Sequence, residues 1–391
     1  MLLYLYLCCV IYLLPLSYCC NAFGDVVVEI KPKHGTTFNK TVHGCISRKS
    51  MDIADVATEV KIVSQPVTKL NFGAVENLAS VVHIEFTKCP IQTVFARAFR
   101  NVPRLETIFL NYGAIGTIKE GIFSNLPSLT KISLAHNQII KIINGSFDIP
   151  SLQILHLSYN KLSSWDKRWF SGSQDVQEVD CRDNLITDLP SNAFDNLRNL
   201  TKLTLDSNLI SKISRDAFKG LHKLKHLGLT YNFLTSVNLN WFPHRISLSK
   251  LTINTNRLNF VSVEVLEQIK PRQIALDGNP WNCECWKETM TWLHNNTGKI
   301  ITTEQCKEQN VPICVEDSQK CKNRVSSETT RKFFEEVKKS LKNFEGLRKA
   351  TVHVTATLGS VILEYFFWRA IGNVNDNYCG IAPNVSEIHE R

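Results

Sequence analysis

Leu129-Thr-Lys-Ile-Ser-Leu-Ala-His-Asn-Gln-Ile139 and Leu152-Gln-Ile-Leu-His-Leu-Ser-Tyr-Asn-Lys-Leu162 are copies of one string. Two further clear copies begin at Leu200 and Leu224. Each has apolar residues at its first, fourth, sixth and last positions and asparagine third from the end. Weaker copies begin at Val81, Leu105, Val176, Leu248 and Pro271, so successive starts lie 24, 24, 23, 24, 24, 24, 24 and 23 residues apart. Nine registers in one frame are not coincidence. A fixed period of this length marks stacked units, none of which can bury its apolar face alone.

The pattern reads as an α/β-type solenoid, a leucine-rich-repeat horseshoe with a parallel sheet on its concave side. The leucines of each short strand point inward. Asn137, Asn160, Asn184, Asn208, Asn232, Asn256 and Asn279 share one position. An amide there offers both donor and acceptor to the turn backbone of neighbouring coils. Phe99, Phe123, Phe147, Phe170, Phe194, Phe218 and Phe242 recur at another fixed offset, with Leu266 next in line. They predict an aromatic spine along the convex side. Cys181 stands where its neighbours have Leu157 and Leu205, which predicts a buried free thiol.

Working outward, residues 1–20 read as a signal peptide, with cleavage between 19 and 22, because Leu2 to Leu16 is a short apolar run followed by small residues. Residues 21–80 read as an N-terminal cap, with short strands at Val26–Val28 and Val67–Leu70. The solenoid follows over 81–280, a cysteine-rich cap over 281–321, a basic amphipathic helical segment over 322–371 and a polar tail over 372–391. Sequons at Asn39, Asn144, Asn199, Asn295 and Asn384 fit the secretory route. Nine cysteines stand from Cys45 onward, clustered after residue 280, which predicts disulfides and an oxidising compartment. Cys45 is a candidate to bridge Cys89, and Cys379 to form an interchain bond or to pair with Cys314 or Cys321.

The net charge is +9. Residues 322–349 carry nine Lys/Arg against four Asp/Glu, and residues 81–280 carry 23 against 16. For an exported chain this favours acidic proteins, sulfated glycans or an anionic surface over nucleic acid. Phe334, Val337, Leu341 and Phe344 space as a helix seam that either packs back on the solenoid or meets a second chain. Residues 350–371 do not read as a membrane span, since His353, Glu364 and Arg369 interrupt them.

Outward positions of successive strands form columns. One reads Phe109, Ser133, His156, Asp180, Thr204, Gly228, Thr252 and Ala275; another reads Tyr112, His136, Tyr159, Asp183, Ser207, Tyr231 and Thr255. Tyr112, His136, His156, Tyr159, Asp180, Asp183, Asp206 and Tyr231 are the candidate binding residues. Ser133, His156 and Asp180 have the composition of a hydrolytic triad. A flat parallel sheet commits its backbone N–H groups to neighbouring strands, however, and leaves none for an oxyanion. The reading is therefore a non-enzymatic binding face, with no cofactor and no metal, and no phosphate or dinucleotide loop appears.

The layout resembles the secreted leucine-rich-repeat immune proteins of mosquitoes. The shared features are the apolar leader, the repeats, an N-terminal cap without four cysteines, the cysteine cluster and the helical end. The resemblance implies a haemolymph protein whose partners are a complement-like thioester protein, another leucine-rich-repeat chain or a microbial surface. It departs from that family in its short, broken coil and its separated cysteines. Pro280-Trp-Asn-Cys283-Glu-Cys285-Trp286 is similar to the cysteine-rich flank of extracellular leucine-rich-repeat proteins generally. That resemblance implies that Cys283 and Cys285 pair with two downstream cysteines, Cys306 and one of Cys314 or Cys321. An extracellular adhesion or matrix role is the competing reading.

Overall fold

The computed structural model describes residues 23–52, 57–244, 246–301, 313–316 and 321–342. They fall into two compact units, 1–129 and 130–391. This boundary lies within the 81–280 span, and the repeat frame runs on both sides of it.

In the first unit, β1 (Phe23–Pro32) lies between β2 (Phe38–Gly44) and β3 (Ala57–Val63), antiparallel to both. Val26, Val28 and Ile30 face inward from β1, and Val27 faces out, the alternation of a strand with one buried face. From β3 onward the pairing is parallel: β3 to β4 (His83–Thr87), and β4 to β5 (Thr107–Asn111). Glu59 pairs with His83 and Thr107 with His83 on the other side, so both steps are one repeat long. The repeats thus begin one turn earlier than the Val81 start read from sequence. In that turn Ala57, Val60 and Ile62 take the apolar positions and Gln65 stands where later repeats have Asn. Cys45 is disulfide-bonded, whereas Cys89 is a buried free thiol. The Cys45–Cys89 bridge is therefore corrected: the partner of Cys45 lies outside the described residues.

In the second unit every principal strand is parallel and follows chain order. These are β6 (Lys131–Ser133), β7 (Ile154–His156), β8 (Glu178–Asp180), β9 (Lys202–Thr204), β10 (His226–Gly228), β11 (Lys250–Thr252), β12 (Gln273–Ala275) and β13 (Lys299–Ile300). Between them Leu155, Val179, Leu203, Leu227, Leu251 and Ile274 stack in register, all buried.

The asparagines tie successive turns together. Asn184 Nδ2 donates to the Leu157 carbonyl of the preceding repeat at 2.9 Å and to the Cys181 carbonyl of its own at 3.1 Å. Its Oδ1 accepts from the Leu162 N–H at 3.0 Å. Asn208, Asn232 and Asn256 repeat the two donations, each within 3.2 Å. On the convex side Phe147 stacks on Phe170, and Phe218 stacks on Phe194 and on Phe242, at 5.3–5.7 Å between ring centroids. Trp165 fills the step between Phe170 and Phe194, and its Nε1 donates to the Ala193 carbonyl.

The C-terminal end is closed by Trp281, which is fully buried and donates through Nε1 to the Leu276 carbonyl. Asn282 caps the helix Cys283–Asn295 by accepting from the Glu284 and Cys285 N–H groups. Cys283 is bonded to Cys314 and Cys285 to Cys321. Both downstream candidates are thus used, and Cys306, which the resemblance put in one of these bonds, is in neither. It lies outside the described residues, as do Cys379 and Asn384. Cys181 is a buried free thiol, raised well above the ordinary thiol range by burial and by Asp180 beside it.

The helix Ser327–Lys342 starts on this cap. Asn259 accepts from the Ser326 N–H at 2.8 Å and donates to Thr330 Oγ1 and the Pro280 carbonyl. Phe333 and Thr329 are buried. The sequence seam placed Phe334 inward, but Phe333 takes that role, because the helix phase is set by the Asn259 anchor. Side chains of Val337, Leu341 and Phe344 lie outside the described residues.

Candidate functional site

Ser64, Lys88, Tyr112, His136, Tyr159, Asp183, Ser207, Tyr231 and Thr255 all have left-handed backbone, with φ between 53° and 57°. They occupy one repeat position, immediately before the asparagine column. The left-handed conformation is costly for non-glycine residues, on the order of 1 kcal/mol or more each. The stack offsets it with hydrogen bonds between turns: the Tyr159 N–H donates to the Arg182 carbonyl at 3.0 Å, and Asp183 to Asp206 at 3.0 Å. Exposure along this position varies: Asp183 and Thr255 are buried, whereas two tyrosines are the most open of the candidate set. Tyr112, in the first unit, is 50% exposed, and Tyr159, in the second, 43%. Tyr231 is half-buried. His136 stacks on Tyr159 with ring centroids 4.1 Å apart and planes within 9°.

The other column behaves differently. Ser133, His156, Asp180, Thr204 and Gly228 are aligned across β6 to β10 by strand register. Yet Ser133, Asp180 and Thr204 are buried. Asp183 is buried as well. Asp180 and Asp183 therefore act inside the surface. Asp180 receives Arg182 Nε at 2.9–3.0 Å on both carboxylate oxygens and Nη2 at 2.7 Å. The fork closes the carboxylate geometrically.

Asp206 lies over Gly228. Its Oδ1 accepts from the Thr230 N–H at 2.7 Å, and a Cβ at residue 228 would lie 2.7 Å from the same oxygen. A side chain at 228 would have to displace the Asp206 carboxylate from its place beside the Thr230 N–H. Burial, reinforced by Asp180 and Asp183, raises the Asp206 carboxyl to about 6 against the pull of the Thr230 N–H and Arg182. Burial likewise lowers His156 and His136; nearby acids (Asp180 and Glu178 for His156, Asp183 for His136) oppose the shift without reversing it.

Two residues of the triad composition face other side chains. Asp180 is held by Arg182, and His156 Nε2 faces Glu178 at 3.6 Å. The Leu134, Leu157 and Cys181 N–H groups donate to the carbonyls of His156, Asp180 and Thr204 on adjacent strands. Those amides are occupied where an oxyanion would need them.

A third outward column was not singled out from sequence: Lys131, Ile154, Glu178, Lys202, His226, Lys250, Gln273 and Lys299. The strand spacing alone would have revealed it. Glu178 pairs with Lys202 at 2.8 Å. Beyond that pair the column is basic. Among the described residues no cluster of His, Cys, Asp or Glu is placed to hold a metal ion, and no helix is long and apolar enough to cross a membrane. Of the sequons, Asn39, Asn144 and Asn295 have exposed or largely exposed positions. Asn199 Nδ2 instead donates to the Gln174 carbonyl at 3.1 Å.

The family model for leucine rich repeats matches residues 79–139, 150–210 and 198–258. Leucine-rich repeat-containing G-protein coupled receptor 5 of Xenopus tropicalis is 34% identical over 31% of this chain and 13% of its own length. Osteomodulin of Bos taurus is 32% identical over 27% of this chain and 25% of its own. The chain thus spans no more than about a quarter of either relative. Among solved structures, the Drosophila Toll–Spatzle complex aligns with a TM-score of 0.55 at 20% identity, over 67% of this chain and 38% of that one. An octameric complex of latrophilin 3, Unc5D and FLRT2 aligns at 0.50 and 23% identity, over 64% and 84%. These likenesses concern the fold. Together with the strand register and the asparagine ladder, they establish a leucine-rich-repeat solenoid fold.

Proposed function

We propose that this is a secreted recognition protein of the innate-immune type, which binds proteins or microbial surfaces through the concave strands of its second unit, without catalysis. Complement-like thioester proteins are the partner class the sequence resemblance suggests. The observation that carries the reading is the left-handed ladder, which presents Tyr159 stacked on His136 at the open edge of the sheet, with Tyr231 three turns on. Aromatic side chains on a rigid frame lose little entropy on binding and dominate many interfaces. The relatives include receptors and structures solved with protein partners, which supports protein binding as the mode.

The test is the affinity of the full chain for a purified thioester protein and for bacterial cells, before and after the double substitution Tyr159→Ala and Tyr231→Ala. The proposal expects at least about tenfold weaker binding at an unchanged melting temperature, since hot-spot aromatics contribute about 2 kcal/mol or more. Unchanged affinity would move the site away from these strands. An extracellular adhesion or matrix role is a second reading, favoured by the cationic character of β10 to β13.

A further inference from the structure

Residues 217–263 contain no aspartate or glutamate, yet carry Lys219, Lys223, Lys225, Arg245, Lys250 and Arg257 together with His222, His226 and His244. The run Lys219-Gly-Leu-His-Lys-Leu-Lys-His226 leads straight into β10. Strand register then sets His226, Lys250, Gln273 and Lys299 side by side, with Lys225 and Arg272 at the neighbouring position of β10 and β12. Adjacent parallel strands are ~4.8 Å apart, so the row from β10 to β13 extends about 14 Å.

Lys225, His226, Lys250, Arg272 and Lys299 are all exposed. None of them has a carboxylate within ion-pair distance among the described residues. The basic residues one and two turns earlier do: Lys202 is paired with Glu178, and Arg182 with Asp180. On the concave side of the second unit Asp206 reaches over Gly228 of β10 and Asp277 stands two residues beyond β12, but the outward row His226, Lys250, Gln273 and Lys299 itself holds no carboxylate.

We infer that this cationic row is a binding site for a linear sulfated glycan. Closely spaced like charges with no internal counter-charge raise the local potential and concentrate a polyanion. Clusters of basic residues at this density fit sulfated polysaccharide. A protein partner is the poorer fit here, because interfaces depend on apolar or aromatic anchors. No exposed large apolar side chain lies on β10 to β13 or within 219–226. Residues that bind by charge alone suit a ligand that is charged along its whole length and presents no side chains. The row is separate from Tyr159 and His136, whereas Tyr231 follows β10 on the turn that carries Lys225 and His226, so the two sites meet there.

The test uses the full chain and defined heparin dodecasaccharide. Lys225→Gln, Lys250→Gln, Arg272→Gln and Lys299→Gln are combined in one variant. Two control variants each remove four positive charges elsewhere: Lys119, Lys141, Lys161 and Lys212 to Gln, and Lys338, Lys339, Arg348 and Lys349 to Gln. Each exposed ion pair contributes a factor of about two to five. The row variant is therefore expected to bind heparin about tenfold more weakly or worse, with a shallower dependence on salt concentration, as fewer counterions are released. Both controls should stay within about threefold of wild type, and all three variants should keep the wild-type melting temperature. Chemically desulfated heparin and poly-glutamate should bind the wild type at least about tenfold more weakly than heparin. Equal loss in either control would assign the binding to net charge and overturn the site. Poly-glutamate binding as tight as heparin would overturn the glycan and assign the row to an acidic protein.

Discussion

Asp206→Asn is expected to stabilise the folded protein at neutral pH and to leave it unchanged near pH 4. The ionised form of Asp206 is disfavoured by burial and by its neighbours Asp180 and Asp183, which raise its carboxyl from 3.8 to about 6. At ~1.4 kcal/mol per pH unit, this costs the charged group about 3 kcal/mol. A carboxyl raised on folding contributes stability below its unfolded value, and that contribution is lost as pH rises through the folded value. The wild type should therefore lose up to about 3 kcal/mol from this one group between roughly pH 4 and pH 7. The amide that replaces the carboxyl is isosteric with it, and its oxygen can still accept the Thr230 N–H, which lies 2.7 Å from Asp206 Oδ1 in the wild type. The value of about 6 already includes the attraction of Arg182, so the expected gain is up to about 3 kcal/mol at pH 7.5. Urea unfolding of both proteins at half-unit steps from pH 4 to pH 8 measures it, with the difference between the curves isolating this residue. A difference that is flat with pH, or a variant less stable than wild type at pH 7.5, would show that ionised Asp206 does not destabilise the fold.

Other expectations follow from particular contacts. Asn208→Ala removes donors to the Cys181 and Leu205 carbonyls and the acceptor for the Ile186 N–H, all buried; unfolding should be easier by about 3 kcal/mol or more, as each unsatisfied group costs about 1–3. Replacing Cys283 and Cys314 together by Ala should cost about 2–5 kcal/mol, while in the native wild type Cys181 resists alkylation until the chain unfolds, as peptide mapping without reduction would show. Phe333→Ala should destabilise the cap by about 3 kcal/mol and speed amide exchange in residues 327–336; unchanged exchange would mean that the helix does not rest on the cap.

The repeat frame was legible because its apolar letters and asparagines do one physical job at every turn. It failed at Ala57, where a small residue and Gln65 replace the expected Leu and Asn although the backbone keeps the same left-handed turn at Ser64. Counting back one period from Val81 would have found it. The columns of outward residues were placed correctly along the strands, but their exposure was not readable. Asp180 is closed off by the Arg182 fork two residues on, and alternation along a strand does not report which long side chain folds back. Of the helix seam only Phe334 falls among the described side chains, and Phe333 beside it is the buried one. The helix phase is fixed by Asn259, 67 residues earlier than Ser326, and no local periodicity reports a long-range anchor. Cysteine pairing was open for the same reason: Cys314 and Cys321 are both near in sequence, and only the parallel pairing of Trp281 with Cys314 sets which cysteine faces Cys283.

The central claim is that the concave strands of the second unit recognise a protein partner through the residues of the left-handed ladder. Hydrogen exchange of the full chain, free and bound to a purified thioester protein, tests it most directly. The account predicts slowed exchange in 131–160 and 202–232 on binding, with that protection lost in the Tyr159→Ala, Tyr231→Ala variant. Protection confined to the convex segments around Phe147, Phe194 and Phe218, or to the helix at 327–342, would contradict it.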